Sequence, residues 1–181
     1  MVVSMEPKNQ SLKAGILEGI RVLDLSRMLS GPYATMLLAD HGAEVIKIES
    51  VEGDSSRRSG PFKEDDIQRN WSGYFISLNR NKKSISINLK NGDDLAFLKK
   101  LIEKSDVLVE NFRPGVMKRL GLSFDKVSKI NPGIVYGSIS GFGSEVFGES
   151  PYKNWPSYDV VAQAMGGLIS LTGYDEKARL R

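Results

Sequence analysis

The sequence predicts an α/β fold with a Rossmann-like, mainly parallel sheet and flanking helices. Short runs of strand-forming residues alternate with longer segments in which apolar residues recur at helical spacing. Glycine and proline mark many of the junctions between these segments. The stretch Gly19–Glu49 shows the pattern most clearly, because it has the order strand, loop, helix, strand. Such a βαβ unit joins parallel strands through a right-handed crossover.

Within this unit, an apolar run over residues 20–25 predicts the first strand, and Pro32 fits the first turn of the helix that follows. Proline is accepted there because its missing N–H would be unpaired anyway. We expect His41 to cap the carbonyls at the helix end, and Gly42 to supply the left-handed residue that ends the helix. Residues 45–48 then predict the second strand. The apolar face of the helix is predicted to consist of Tyr33, Ala34, Met36 and Leu37.

The rest of the chain continues the alternation. A polar connection over residues 50–73 is long enough to suggest a functional loop, and the apolar segment Tyr74–Leu78 fits either type of element. Gly166 and Gly167 either end the last helix or mark close backbone packing. The other predicted elements are a strand with one solvated face at Ser84–Leu89, a helix at Asn91–Lys104, a strand at Asp106–Glu110, a helical turn at Val116–Leu120, a helix at Phe124–Ile130 capped by Ser123, a strand at Ile134–Ser138, and a helix capped by Ser157 with an apolar stripe of Val160, Val161, Ala164, Met165 and Leu168.

Composition narrows the class of protein. The 181 residues are 40% hydrophobic and 26% charged, with a net charge of +3, which is ordinary for a globular domain. We predict a polar lead-in over residues 1–18 and one domain over residues 19–181. No apolar run is long enough to span a membrane, and the N-terminus lacks the apolar core of a signal peptide. We therefore expect a cytoplasmic protein with no membrane partner. The absence of cysteine excludes disulfides and thiolate chemistry.

Several classes of ligand are disfavoured. The basic residues are scattered apart from Arg80, Lys82 and Lys83, and no nucleic-acid-binding motif is present. A nucleic-acid partner is therefore not expected, whereas an anionic cofactor is compatible with the charge. His41 is the single histidine and has no visible cluster of partner ligands, so we expect no metal site. The loop DLSRMLSGP after the first strand also lacks the glycines of a dinucleotide-binding fingerprint.

A set of sequence blocks occurs in one order along the chain: GIRVLDLSRMLSGPYATMLLADHGAEVIKIE, GDSSR, NRNKKSISINL, SDVLVENFRPGVMKRLGL, NPGIVYGSISGFG and YDVVAQAMGGL. Each block alone is a weak signal, but the ordered set is specific. From Gly19 to about Gly173 the chain resembles the N-terminal part of the class III coenzyme A transferases, a group that includes formyl-CoA transferase and carnitine-CoA transferase. The related α-methylacyl-CoA racemases share the same frame.

This resemblance implies a reaction that moves coenzyme A between an acyl-CoA and a carboxylic acid. CoA is then both cofactor and substrate, held on a Rossmann-like large domain, and the full-length protein is an interlocked homodimer. In the family an aspartate carboxylate attacks the thioester and carries CoA as an enzyme-aspartyl thioester. That aspartate follows the helix matched by YDVVAQAMGGL. We therefore expect it beyond Arg181, interpret the chain as a truncated or split part of the large domain, and expect it to be inactive alone.

The resemblance also assigns residues to the CoA site. Leu29 stands where formyl-CoA transferase has a glutamine, which argues against a formyl or oxalyl substrate. Ser50 stands where that enzyme has an arginine, and we expect Lys47 and Arg57 to supply charge in its place. The positions that match CoA-contacting residues are Met28 and Leu29 after the first strand, Ile87, Asn88, Leu89 and Lys90 near the adenine, Asn111, Phe112 and Arg113 in the turn around the nucleotide, and Arg119 at a phosphate.

Tyr158 and Asp159 separate the possible reactions. The racemases have a catalytic histidine at the position of Tyr158, and a phenol is a poor proton-exchanging base near neutral pH. This favours a transferase, with Asp159 supporting its site. Two alternatives stay open: a 2-methylacyl-CoA racemase or epimerase, and a non-catalytic CoA-binding or pairing subunit completed by another chain. From the residues alone, Asp159 equally fits a helix N-terminus, and Asn111 and Phe112 fit an ordinary turn and core.

Overall fold

A five-stranded parallel sheet with the strand order β3-β2-β1-β4-β5 forms the centre of the chain. It confirms the predicted α/β class. The computed structural model describes residues 15–143 and 148–172, so most of the predicted lead-in, residues 144–147 and residues 173–181 lie outside the described residues. The elements are β1 (Arg21–Asp24), α1 (Ser30–Asp40), β2 (Glu44–Glu49), a 3-10 helix (Ser55–Arg58), α2 (Gly73–Asn79), β3 (Lys82–Ser86), α3 (Gly92–Glu103), β4 (Val107–Glu110), α4 (Val116–Arg119), α5 (Phe124–Ile130), β5 (Val135–Ser138), α6 (Asp159–Met165) and α7 (Leu168–Thr172).

The order of the strands creates a switch point between β1 and β4. From β1 the chain adds β2 and β3 on one side, then crosses to add β4 and β5 on the other side. The loops after β1 and β4 therefore leave the sheet in opposite directions, which opens a crevice at the carboxyl ends of these strands. In a parallel sheet of this kind, a ligand site is expected at that edge.

The core lies on both faces of the sheet, because successive strand residues point to opposite sides. On one face, Leu23 and Leu108 pack with Leu98 and Ile102 of α3, and all four are completely buried. On the other face, Val22 packs in a smaller cluster with residues of α1 and β2. Full burial of one such side chain stabilises the fold by about 1.5–3 kcal/mol, so both faces contribute.

Helix α1 buries a different face from the one predicted. Met36 is buried as expected, but Tyr33 and Leu37 are 49% and 40% exposed, so that prediction is wrong for them and for the exposed Ala34. Thr35 takes a core position instead, because its hydroxyl donates to the buried Asp24 carboxylate at 2.6 Å. The helix end is as predicted: His41 Nδ1 lies 2.6 Å from Leu37 O, and Gly42 has a φ of 102°.

Strand β3 begins and ends earlier than predicted. It covers Lys82–Ser86 at the sheet edge, whereas the alternation of apolar residues predicted Ser84–Leu89. The strand ends there because its neighbour β2 ends at Glu49, which pairs with Ser86. The last bond between the two segments runs from Ile87 N to Glu49 O at 2.8 Å, after which the chain turns away. Residues 87–90 therefore form a loop at the carboxyl edge of the sheet.

The predicted helices after β3 are largely confirmed. Helices α3 and α5 match the predicted segments within one residue at each end, although Ser123 makes no side-chain capping bond. The segment 74–78, whose type was open, is helical and belongs to α2.

The last predicted helix is two short helices. It begins one residue later than predicted, with Tyr158 rather than Ser157 at the N-cap, and Gly166 and Gly167 separate α6 from α7. No residue of either helix is buried; of the predicted apolar stripe, Val161 is partly buried and the other four residues are exposed. None of the helices described is both long enough and apolar enough to cross a membrane.

Candidate functional site

A cleft of about 450 Å³ lies at the carboxyl edge of the sheet, over the ends of β1, β2 and β3. Its wall combines apolar side chains with charged and amide groups. The lining residues are Leu25, Arg27, Ile48, Glu49, Ser50, Val51, Glu52, Ile87, Asn88, Leu89, Lys90 and Phe112.

Five residues predicted to bind the cofactor line this cleft: Ile87, Asn88, Leu89, Lys90 and Phe112. The first four belong to the loop that exists because β3 ends at residue 86. The structure therefore brings together the segment assigned to the adenine end and the aromatic residue of the turn after β4.

Asn111 does not line the cleft and acts on the backbone next to it. Its side-chain oxygen accepts from Arg27 N at 2.8 Å, and its amide nitrogen donates to Arg27 O at 2.7 Å. These two hydrogen bonds join the loop after β4 to the loop after β1 across the switch point. The position of Asn111 thus fixes where Arg27 leaves the sheet.

Met28 and Leu29 also lie outside the lining of the cleft. Met28 has a φ of 67°, a left-handed conformation that is uncommon for a residue other than glycine. Its sulfur accepts a hydrogen bond from Ser55 Oγ at 3.3 Å. Leu29 is at the N-cap position of α1 with its side chain exposed. Both remain near the cleft, because they follow Arg27 in the same loop.

Arg113 and Arg119 are exposed and do not line the cleft. Arg113 O accepts from Val116 N at 3.1 Å, which closes the turn that leads into α4. Among the described residues neither arginine forms an ion pair. Their assignment to the cofactor stays a prediction.

Tyr158 and Asp159 lie at the start of α6, away from the lining residues. Tyr158 is exposed, and Asp159 accepts from the Gln163 side chain. Asp159 also reaches the neighbourhood of α2: burial raises the pKa of Tyr74, and the negative charges of Asp54 and Asp159 add to that rise. Their roles in a transferase site stay predictions.

Arg27, which lines the cleft together with Lys90, was not among the site residues predicted from the sequence. Its guanidinium lies 5.5 Å from the centre of the Phe112 ring, a cation–π contact. Within the part of the chain that the structure describes, Arg27 is half-buried and its side chain has no carboxylate partner. The signal for it was its place in the loop after β1, since the loops that follow the strands of a parallel sheet lie at the ligand-binding edge.

A first buried ion pair lies beneath the cleft, between Asp24 and Lys82. Lys82 Nζ is 2.9 Å from Asp24 Oδ2, and both side chains are almost fully buried. Lys82 also donates to Pro32 O at 2.8 Å and to Asn79 Oδ1 at 2.9 Å, so its three donors are all used. Burial alone would raise the pKa of Asp24, but the charges of Lys47 and Lys82 and hydrogen bonds from neighbouring hydroxyls lower it. Asp24 is therefore held ionised.

A second buried ion pair joins Lys47 to Asp54, with Nζ 2.9 Å from Oδ2. This contact is an ion pair rather than a well-directed hydrogen bond, because Oδ2 has no hydrogen-bond donor among the residues described. Lys47 is only 1% exposed. The expectation that Lys47 supplies charge to the cofactor is thus wrong, because its ammonium is enclosed and already paired.

Glu49 is part of the cleft wall but its charge is neutralised within the protein. Arg57 holds the carboxylate through two bonds of 2.7 Å, Nε to Oε2 and Nη2 to Oε1. Ser84 Oγ and Asp54 N add further bonds of 2.5 Å and 2.9 Å. Arg57 is therefore committed to Glu49, which contradicts the expectation that it replaces a cofactor-binding arginine. Burial alone would raise the pKa of Glu49, but these hydrogen bonds lower it to about 2.

Acid should therefore destabilise the protein through Glu49. Its folded pKa of about 2 lies below the ordinary value of 4.5. The stability that the ionised carboxylate contributes is complete above pH 4.5 and is lost as the pH falls toward 2. We expect a loss of about 3 kcal/mol over this window, measured by urea unfolding at several pH values. Glu49→Gln should flatten this dependence, whereas Glu103→Gln, an exposed control on α3, should retain it. Equal slopes for Glu49→Gln and the native chain would contradict the assignment.

Arg80, Lys82 and Lys83, which cluster in the sequence, each form an ion pair with a carboxylate of the protein. Arg80 Nη2 lies 2.6 Å from Asp40 Oδ2, and Lys83 Nζ lies 2.6 Å from Glu44 Oε1. The unpaired cations at the cleft are thus Arg27 and Lys90 among the lining residues. No group of three or more histidine or acidic side chains in the described ranges is placed to hold a metal ion.

The chain is similar to proteins named as CoA-transferases. It is 43% identical over 162 residues to succinyl-CoA:mesaconate CoA-transferase of Haloarcula marismortui, covering 90% of this chain and 41% of that protein. It is 48% identical to formyl-CoA:oxalate CoA-transferase of Streptomyces coelicolor (91% and 38% covered) and 44% identical to succinyl-CoA:glutarate CoA-transferase of Mus musculus (88% and 35% covered). The chain thus spans about two fifths of the length of these curated relatives.

The fold is also similar to that of a solved structure. A crystal structure of a CaiB/BaiF family protein from Brucella suis matches with a TM-score of 0.84 and 36% identity, over 93% of this chain and 44% of that one. The model of CoA-transferase family III matches residues 17–181, nearly the whole chain. The ordered sequence blocks, the parallel sheet and these matches agree, and the protein belongs to CoA-transferase family III.

Proposed function

We propose that this chain forms the CoA-holding part of an enzyme that transfers coenzyme A between an acyl-CoA and a carboxylic acid. The observation that carries the proposal is the cleft over β1–β3, where Arg27 and Lys90 are free of carboxylate partners within the described part of the chain. The names of the relatives support the reaction class, because each pairs an acyl-CoA with an organic acid.

The cleft suits a nucleotide with phosphate groups. Its volume of about 450 Å³ lies in the range of small-molecule sites. Phe112 and Leu89 provide apolar surface for a base, while Arg27 and Lys90 provide cations for phosphates. The two negative groups in the wall interfere little, because Glu49 is bound by Arg57 and Glu52 is exposed.

Binding of free CoA by the purified chain tests this proposal. We expect saturable binding by isothermal titration calorimetry, with dephospho-CoA and pantetheine binding progressively more weakly as phosphates are removed. A polyphosphate without a nucleoside should not compete efficiently, because the apolar wall would be left empty. Equal affinity for CoA and pantetheine would contradict a site built around phosphate contacts.

We propose that the aspartate nucleophile of the transfer is not among the described residues. The buried aspartates in these residues are committed: Asp24 is paired with Lys82, and Asp54 with Lys47. Asp159 is exposed and bonded to Gln163. Incubation of the purified chain with an acyl-CoA and an acceptor acid should therefore yield no new acyl-CoA by mass spectrometry. A robust yield of product would contradict this proposal without affecting CoA binding.

We further propose that α6 and α7 pack against protein in the assembled enzyme, either a second copy in a homodimer or a complementary chain. Support comes from the large apolar side chains that these short helices leave exposed, Val160, Met165, Leu168 and Leu171. Several large exposed apolar side chains on two consecutive short helices are typical of a protein interface.

A further inference from the structure

One buried ammonium group connects two loops that border the cleft. Lys47 Nζ lies 2.9 Å from Asp54 Oδ2 and donates to Ser26 O at 2.9 Å. Ser26 lies in the loop between β1 and α1, whereas Asp54 is the N-cap of the 3-10 helix after β2. The Lys47 side chain thus contacts the backbone of the loop after β1 and a carboxylate of the segment after β2.

Asp54 extends the connection into its own segment. Its Oδ1 accepts from Ser56 N and Ser56 Oγ, both at 2.9 Å. Its backbone N–H donates to Glu49 Oε2 at 2.9 Å, which ties the segment to the end of β2. Ser56 O in turn accepts from Ser72 Oγ at 2.6 Å. The position of this segment is therefore determined by directed polar contacts rather than by packing alone.

The chemistry of the Lys47–Asp54 pair indicates that it positions the two loops rather than adds to the stability of the fold. Replacing a buried ion pair with apolar residues of similar volume is often neutral or stabilising. An apolar residue at position 47 could not hold the Ser26 carbonyl, because only a donor group can make that bond. Arg27 follows Ser26 directly, so the location of the Ser26 carbonyl determines where the Arg27 backbone lies at the cleft.

We propose that Lys47 and Asp54 are positioning residues that hold residues 26–31 and residues 53–58 at a fixed separation beside the CoA cleft. Neither side chain lines the cleft. Lys47 acts through Ser26, which precedes the lining residue Arg27, and Asp54 acts through its N–H bond to the lining residue Glu49. The inference rests on the proposed function in one respect only, the identity of the ligand as CoA.

The test compares the native pair with a neutral pair. In Lys47→Met/Asp54→Asn, the side chain at position 54 keeps an acceptor for Ser56 N–H, whereas the ammonium and its bond to Ser26 are lost. We expect amide hydrogen exchange at residues 26–31 and 53–58 to become about tenfold faster or more, with exchange in α3 unchanged. The dissociation constant for CoA should rise about tenfold at a nearly unchanged Tm.

A matched control uses an ion pair at the opposite, amino end of the same strands. Arg21 Nε lies 2.6 Å from Glu44 Oε2, and Arg21→Met/Glu44→Gln should alter neither exchange in the two loops nor CoA affinity. The single variant Ser56→Ala leaves both charges paired and removes only the hydroxyl bond from Ser56 to Asp54 Oδ1. It should speed exchange at residues 53–58 only, and this pattern decides the question if circular dichroism shows that the double variant is unfolded.

Three results would overturn the inference: unchanged exchange in both loops, equal acceleration in the loops and in α3, or faster loops with unchanged CoA affinity. The exchange measurement needs no ligand. If the native chain does not bind CoA, the proposed function of the chain fails, while local acceleration of the two loops still supports the positioning role and its absence still overturns it.

Discussion

Replacing Asp24 with alanine is expected to lower the free energy of unfolding by about 3–5 kcal/mol. The change removes the partner of Lys82, whose ammonium is enclosed and lies 2.9 Å from the carboxylate. It also removes the acceptor for Ser26 N at 3.0 Å and for the hydroxyls of Ser26 and Thr35. A buried cation then lacks a carboxylate partner and the two Ser26 donors lose their acceptor, whereas the Thr35 hydroxyl still has Gly31 O at 3.1 Å. Urea unfolding followed by circular dichroism measures the loss, which is large compared with the usual stability of a small domain.

Two variants separate the effect of an unpaired charge from the effect of lost volume. Asp24→Leu/Lys82→Met removes both charges and should be far less destabilising than Asp24→Ala, because no buried charge is left unpaired. Asp40→Ala breaks an exposed pair with Arg80 and should leave the unfolding midpoint essentially unchanged. If Asp24→Ala unfolded at the same urea concentration as the native chain, the buried pair would have no stabilising role.

These buried charges explain why the fold was easier to predict than the support of the site. Apolar periodicity was sufficient for α3 and α5, whose bounds match the predicted segments closely. It failed for α1, because Thr35 is polar in sequence but buried in the structure, where Asp24 accepts its hydroxyl. A pattern of polar and apolar residues assigns such residues to the surface, because it does not show which polar groups have hydrogen-bond partners in the folded protein.

The same reasoning applies to the candidate site. The segment 87–90 was assigned to the cofactor through resemblance, and the structure places it in the cleft. The position of this segment at the cleft depends on where β3 ends. That end is set by the length of β2 and not by the residues of β3 themselves. Lys47 was expected to supply charge to the ligand in place of the arginine that Ser50 replaces. Only the three-dimensional position of Asp54 shows that its charge is used internally.

Replacing Arg27 with alanine is expected to weaken CoA binding about 10- to 100-fold. A hydrogen bond to a charged group contributes about 1.5–3 kcal/mol, and each 1.4 kcal/mol changes the dissociation constant tenfold. The loss should lie toward the upper end, because Asn111 fixes both the N–H and the C=O of Arg27. The guanidinium also rests against Phe112, so little entropy is lost when a phosphate binds. Isothermal titration calorimetry with CoA measures the change.

The control for Arg27 is Arg58→Ala, which removes an exposed arginine from the 3-10 helix near the same edge of the sheet and outside the lining of the cleft. It should change CoA affinity less than twofold, whereas a nonspecific charge effect would weaken both variants equally.

Titration with dephospho-CoA then completes a thermodynamic cycle. If Arg27 contacts the 3′-phosphate, Arg27→Ala and the native chain should bind dephospho-CoA equally. If it contacts the pyrophosphate, the variant should lose the same factor with both ligands. Native affinity of Arg27→Ala for CoA itself would remove Arg27 from the site and leave Lys90 as the cation of the cleft.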